Sequence, residues 1–213
     1  STLTVLFTLS NKDIVVNIMQ FDLKKFYDDL YRNNQGVFGE SSLDYLQSVC
    51  NRLPMASGRA LNVGAGEGIT SRFLAQQGYL VDAVDLSDNV LTNIQDVERI
   101  FVHHGPVEDF VFKDDYQLVL FALVAHHFEL NNFVQIVSSI QQKTLLGGIH
   151  IYRLFTTDSD FYRQSSNQGF YDDGLKLDAC YRGWKIVLDE KVITKASTQD
   201  ASNEVRQVVF QKH

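Results

Sequence analysis

The period of the apolar positions changes along the chain. Phe21, Leu23, Phe26, Tyr27, Leu30 and Tyr31 recur at helical spacing, which predicts a helix over Phe21–Arg32 closed by the polar turn Asn33-Asn-Gln-Gly36. Ser41 and Ser42 cap a second helix to about Leu53, and Pro54 and Gly58 lead into a strand, Ala60–Val63. A helix over Thr70–Gln77, stopped by Gly78, is followed by a strand, Leu80–Val84. Ser87 caps a helix to about Val97, with Asp88 in its first turn, and Ile100–His103 reads as a third strand. Tyr116–Val124 is almost continuously apolar, as a strand covered on both faces should be. Then come a helix over Asn131–Lys143, a turn at Gly147-Gly148 and a strand, Ile149–Phe155. Strands alternating with helices predict a doubly wound α/β domain with a mostly parallel sheet. The end differs: a helix over Asp172–Tyr181 precedes the strands Trp184–Ile193 and Val205–Gln211. The polar loop Lys195–Asn203 joins them as an antiparallel hairpin.

One segment carries more than fold. Arg59-Ala-Leu-Asn-Val-Gly-Ala-Gly-Glu-Gly68 reads as a strand running into a glycine-rich turn, with a helix after it. Gly64, Gly66 and Gly68 let the backbone approach a ligand closely, and the following helix points its N-terminus there. Asp85, about twenty residues beyond the turn, ends the next strand, where a carboxylate accepts hydrogen bonds from both hydroxyls of a ribose. A nucleoside cofactor is therefore expected. An NAD turn wants G-x-G-x-x-G, but the third glycine position is held by Ile69 and the pattern is G-x-G-x-G.

Composition narrows the rest. The 213 residues suit one domain, and the net charge of −7, from 19 basic and 26 acidic residues, disfavours nonspecific nucleic-acid binding. Cys50 and Cys180 lie far apart with no CxxC, which fits a reducing cytoplasm better than a disulfide framework or a zinc site. The longest apolar run, Leu118–Ala125, is far below the ~18–20 residues of a membrane span. Thr2–Leu9 is apolar but lacks the basic lead and cleavage site of a signal peptide, so residues 1–18 are expected to be an extension.

Leu61-Asn-Val-Gly-Ala-Gly-Glu-Gly68, Val84-Asp-Leu-Ser87, Leu118–Phe128 and Leu145-Leu-Gly-Gly148 resemble, in order and spacing, the signature segments of class I S-adenosylmethionine (SAM)-dependent methyltransferases. Phe26-Tyr27, Tyr31-Arg32 and Val37-Phe-Gly-Glu-Ser-Ser42 look similar to the tellurite-resistance-type and other small-molecule members. The resemblance implies a seven-stranded Rossmann-like sheet with a reversed last hairpin, a single domain over residues 19–213, and residues 19–57 as its helical lid. It implies Gly64, Ala65 and Gly66 against the methionine part of SAM, Asp85 on the ribose diol, and Leu86, Val107 and Glu108 around the adenine. Phe121, Ala122 and Leu123 would face the sulfonium and methyl group, and Tyr31 and the 38–41 segment would close the site. Glu67, beside the helix N-terminus, is a further cofactor candidate or a complement to the helix dipole. Asn62 stands where the family has an acid, Gln117 where it commonly has Asp, and no Asp follows His103–Gly105.

His126 and His127 would lie beside the methyl position. Adjacent strand residues face opposite sides, so at most one is expected to point inward and take a proton from the acceptor. His103-His104 reads as loop, and neither pair has metal-ligand spacing. The polar, aromatic stretch 156–171 is placed to lie over the sheet's C-terminal edge. Trp184, Val187 and Leu188 read as hairpin core. The segment Phe121-Ala-Leu-Val124 has no Asn/Asp-Pro-Pro-aromatic motif, which with the acidic charge tilts the acceptor toward a small molecule, soft or carrying a carboxylate or hydroxyl. Expected is a methyltransferase acting on a small-molecule acceptor as monomer or homodimer, without membrane, nucleic-acid or metal partners. A non-catalytic SAM- or nucleoside-binding relative and an NAD-dependent oxidoreductase stay open beside it.

Overall fold

The computed structural model describes residues 22–33, 41–92, 94–165, 169–195 and 202–213. The expected extension 1–18, the closing segment 38–40 and most of the terminal hairpin loop lie outside them. Helices α1 (Leu23–Asn33) and α2 (Ser41–Arg52) precede β1 (Arg59–Val63), α3 (Ile69–Gln76), β2 (Leu80–Asp85), α4 (Asp88–Leu91) and β3 (Ile100–His104). Then follow β4 (Tyr116–Ala122), α5 (Leu130–Gln142), β5 (Thr144–Phe155), α6 (Asp160–Gln164), α7 (Lys176–Cys180), β6 (Lys185–Lys195) and β7 (Ser202–Gln211).

The seven strands form one sheet in the order β3-β2-β1-β4-β5-β7-β6. β1 to β5 pair in parallel, β7 runs antiparallel to β5, and β6 runs antiparallel to β7. The expected α/β fold and reversed hairpin are both present. Chain direction across the sheet switches between β1 and β4, where doubly wound sheets open a crevice at the strands' C-terminal ends.

Two apolar layers cover the sheet, and period-two alternation sorts side chains between them. Leu118 and Leu120 of β4 join α2, α3 and α4 on one face; Val119 and Phe121 join α5 and α7 on the other. Each such Leu, Val or Phe contributes roughly 1.5–3 kcal/mol by leaving water. Trp184 packs against the α5 face and Leu188 lies in the α2–α3 face, as expected of hairpin core.

Several elements depart from the sequence reading. The helix expected from Ser87 to Val97 stops at Leu91: the Ser87 hydroxyl donates to Asp28 instead of capping it, and Ile94 turns inward over Gly68. The helix expected from Asp172 begins only at Lys176. Gly174 is left-handed, Asp173 accepts the Leu175 and Lys176 N–H groups, and Asp172 bridges to Thr156. The fourth strand ends at Ala122 because Leu123 adopts φ 56°. Gly147-Gly148 is a bulge inside a longer β5, where the pairing shifts from Tyr116–Thr144 to Leu118–Ile149. His103 and His104 end β3 instead of lying in a loop.

Candidate cofactor and acceptor site

The glycine turn is built against the rest of the chain. Gly64, Gly66 and Gly68 have φ of 67°, 53° and 74°, a region that costs other L-residues about 1–2 kcal/mol. Gly64 N and Ala65 N both donate to Val84 O, tying the turn to the end of β2. A Cβ on Gly64 would sit 2.5 Å from Val124 Cγ2, and one on Gly68 would sit 2.4 Å from Ile94 Cγ2. Those two glycines are demanded by packing. A Cβ on Gly66 would meet only the Tyr31 hydroxyl, at 3.5 Å, so Gly66 is the member of the turn that faces the crevice.

Asp85 stands opposite. Its Oδ2 accepts from Gly66 N at 2.8 Å and its Oδ1 from Ser87 N at 2.9 Å. Burial raises its pKa, while the Ser87, Gly66 and Leu86 N–H groups pull it back and the charge of Asp28 adds to the rise. A carboxylate has about four lone-pair sites, more than these N–H groups fill, so a further donor fits. Leu86 is half-buried beside it, and the chain leaving β3 is tied to the same corner by Gly105 N donating to Asp85 O. In the short turn that follows, Val107 is buried and Glu108 is exposed.

Asn62 points from β1 to the start of α3, its amide donating to Thr70 Oγ1 at 2.9 Å and Ser71 Oγ at 2.8 Å. An acid there would meet those hydroxyls as acceptor, so the departure from the family pattern is absorbed by the helix's own first turn. Glu67 and Tyr31 are half-buried neighbours, and Tyr31 is held well above the ordinary phenol range by burial, then by Asp85, Tyr27 and Glu67.

Helix α1 covers this corner. Asp28 accepts from Ser87 Oγ at 2.6 Å and pairs with Lys24 at 2.8 Å, and Lys24 also reaches Asp88. Tyr27 and Tyr31, one turn apart, stack at 5.8 Å. Sequence reading placed Tyr31 here but gave no role to Tyr27 or Asp28; their shared helix with Tyr31 was the available signal. No sequence signal marks the left-handed Leu123, whose N–H donates to Arg153 O and whose strain sits where strands meet the crevice.

Two expectations at the end of β4 need correction. Phe121 is fully buried between Phe133 and Tyr152, so its side chain belongs to the core; the half-buried Ala122 ends the strand. His126 and His127 lie in a three-residue 3₁₀ turn, Ala125–His127, where neighbours are not forced to opposite sides. Their rings are 3.9 Å apart. His127 meets Tyr27, while His126 packs among Phe155, Phe161 and Tyr171. Burial lowers the His127 pKa to about 4, and burial with the neighbouring His127 holds His126 well below its usual range. Both imidazoles are neutral at physiological pH.

The 156–171 stretch reaches this turn through Phe170 N donating to Phe128 O and through Phe161 and Tyr171. Tyr152 and Arg153, just before this stretch in β5, are buried in the sheet. Among the described residues no group of three or more His, Cys, Asp or Glu is arranged for a metal, and no helix is long and apolar enough to cross a membrane.

Comparison with known proteins agrees with this layout. Residues 43–210 match the family model of the tellurite resistance protein TehB. An uncharacterized methyltransferase of Staphylococcus carnosus is 21% identical over 151 residues, 68% of this chain and 73% of that protein. The fold superposes on the Burkholderia thailandensis 1,6-didemethyltoxoflavin-N1-methyltransferase, solved with its namesake compound and S-adenosylhomocysteine. The TM-score is 0.68 at 17% identity, over 90% of this chain and 88% of that one. It also superposes on TehB from Haemophilus influenzae, with TM-score 0.65 at 14% identity, over 89% of this chain and 67% of that one. With its glycine turn, its Asp85 and its reversed hairpin, the chain belongs to the TehB tellurite-resistance family of class I SAM-dependent methyltransferases.

Proposed function

We propose that the protein transfers a methyl group from SAM to a small-molecule acceptor in the cytoplasm. The observation that carries this reading is the Asp85 carboxylate, fixed by Gly66 N and Ser87 N beneath Tyr31, with acceptor capacity left over for a ribose hydroxyl. The donor set fits an adenosyl sulfonium: a carboxylate for the ribose, exposed backbone at Gly66 for the methionine end, and apolar Leu86 and Val107 for a flat base.

In this assignment Gly64, Ala65 and Gly66 line the methionine side with Glu67 beside them, Asp85 binds the ribose, and Leu86, Val107 and Glu108 border the adenine. Tyr31 closes the site from α1, and Ala122 ends the strand that faces the reacting carbon, with Phe121 holding that strand in the core. SAM, when bound, supplies a methyl group made electrophilic by its sulfonium. The chain's task is then to align the acceptor behind the methyl carbon and to exclude water, and placement of this kind supplies ~7–11 kcal/mol of a barrier. Tyr27, Tyr31 and α1 suit the second task, since they cover the crevice with aromatic surface.

Two measurements test the reading. Calorimetric titration with S-adenosylhomocysteine should give saturable heat, and NAD should give none. Incubation with SAM and a metabolite extract should then yield S-adenosylhomocysteine. Heat with NAD alone would replace the reading by an oxidoreductase, and binding without turnover would leave a SAM-binding protein with no transferase activity.

A further inference from the structure

Helix α1 and the 3₁₀ turn after β4 meet through a hydrogen bond whose two polar atoms the methyl-transfer reading leaves without a role. Tyr27 Oη lies 2.7 Å from His127 Nε2, and the two rings meet edge-on at 5.3 Å. Tyr27 stacks on Tyr31, whose hydroxyl overhangs Gly66, and it senses the charge of Asp85. Val124, three residues before His127, packs on Gly64. The pair thus stands on the rim shared by the glycine turn, Asp85 and the exit of β4. Beyond it the ring contacts continue through His126 to Phe155, Phe161 and Tyr171, and every ring in this run is uncharged at neutral pH.

We infer, resting on the methyl-transfer reading, that Tyr27 is the catalytic proton acceptor, that His127 positions it and stores its proton, and that the methyl acceptor is a small uncharged aromatic molecule bearing a hydroxyl. The Phe155, Phe161 and Tyr171 rings beside His126 favour a flat apolar partner through offset and edge-to-face contacts. A hydroxyl acceptor arrives protonated and must lose that proton as the new bond forms. The acceptor oxygen bonds the methyl carbon as that carbon parts from sulfur, which keeps the electron pair. The hydroxyl proton passes to Tyr27 Oη, and the Tyr27 proton passes to His127 Nε2. One positive charge leaves sulfur and one appears on the imidazole, so the buried site gains no net charge, the costly outcome in a water-poor environment. Burial keeps the His127 ring neutral above about pH 4, so its lone pair is open to a proton, and the same burial disfavours the imidazolium, so the ring holds that proton only until it passes to water.

The test compares two probe acceptors at pH 8: phenol, which is protonated there, and thiophenol, which is largely ionised and needs no base. Tyr27→Phe and His127→Asn should each lower kcat on phenol by roughly 10²–10⁴-fold. Thiophenol turnover should fall far less, so the ratio of phenol to thiophenol turnover should drop in both variants. Equal losses on both probes would show a structural contact only. Undiminished phenol turnover, or a wild-type protein that binds S-adenosylhomocysteine yet methylates neither probe, would overturn the inference. A wild-type protein that does not bind S-adenosylhomocysteine would overturn the underlying reading and this inference with it.

Discussion

At the β1–β2 end of the sheet the key carboxylate is held by backbone N–H groups; at the β5–β7–β6 end buried polar side chains hold one another. Asp85 is gripped by Gly66 N and Ser87 N and keeps lone pairs in reserve. Across the sheet, Arg206 is 4% exposed and joins Asp172, Asp178 and Asp189. A second chain there runs Tyr152 hydroxyl, Tyr181 hydroxyl, His150, Thr144 hydroxyl and Ile140 carbonyl. The first arrangement is open and suited to a ligand. The second is largely closed: Arg206, Asp172 and the Tyr152–Tyr181–His150–Thr144 run are buried, while Asp178 and Asp189 reach solvent at its edge, and buried networks of that kind rigidify a core while making any single loss expensive. One end of this sheet is therefore built as an open corner and the other as a locked core.

Removing the centre of the closed end should have the largest effect. Arg206→Gln leaves the fully buried Asp172 carboxylate without its counter-ion, and denaturant unfolding should show about 3–5 kcal/mol of lost stability. Affinity for S-adenosylhomocysteine, measured well below the transition, should hardly change. Asp85→Ala should do the reverse: calorimetry should show affinity reduced by about 1–3 kcal/mol, with a smaller loss of stability. If each variant harmed both properties equally, the division between the two ends would fail.

Acid should sharpen the contrast by a smaller step. Burial, with some help from Lys212, lowers the His150 pKa from its ordinary 6.5 to about 3. The unfolded chain therefore binds that proton more readily than the folded one. The resulting loss of stability begins as pH falls through about 6.5 and continues to about 3, with a slope of up to about 1.4 kcal/mol per pH unit. His126 and His127 add slopes of the same sign over the upper part of that window. Unfolding curves between pH 7 and pH 4 measure the sum, and His150→Gln should make them shallower. A flat dependence would mean these imidazoles are not buried neutral.

The sequence made the Asp85 end legible because its determinants are local. A strand, three glycines with unusual backbone demands, a helix and an aspartate at the next strand's tip lie within about thirty residues, the size of one βαβ unit. The alternating strands and the reversed hairpin were legible for the same reason: period and turn chemistry are written in consecutive residues. Their limits were not. Ser87 reads as a cap, yet its hydroxyl donates to Asp28 of a distant helix and makes no cap bond, and the helix after it is one turn long. Phe121 reads as a site residue until the register of β4 turns it toward Phe133 and Tyr152.

Sequence alone determined the α/β class, the glycine turn and the aspartate that faces it, since short-range sterics and hydrogen-bonding chemistry suffice for those. Tertiary structure decided that Gly64 and Gly68 serve packing while Gly66 serves the crevice, that Tyr27 finds His127 about a hundred residues away, and that three aspartates converge on Arg206. Such long-range pairings follow from how layers dock and which face each strand presents, and no local pattern encodes where two distant side chains will meet.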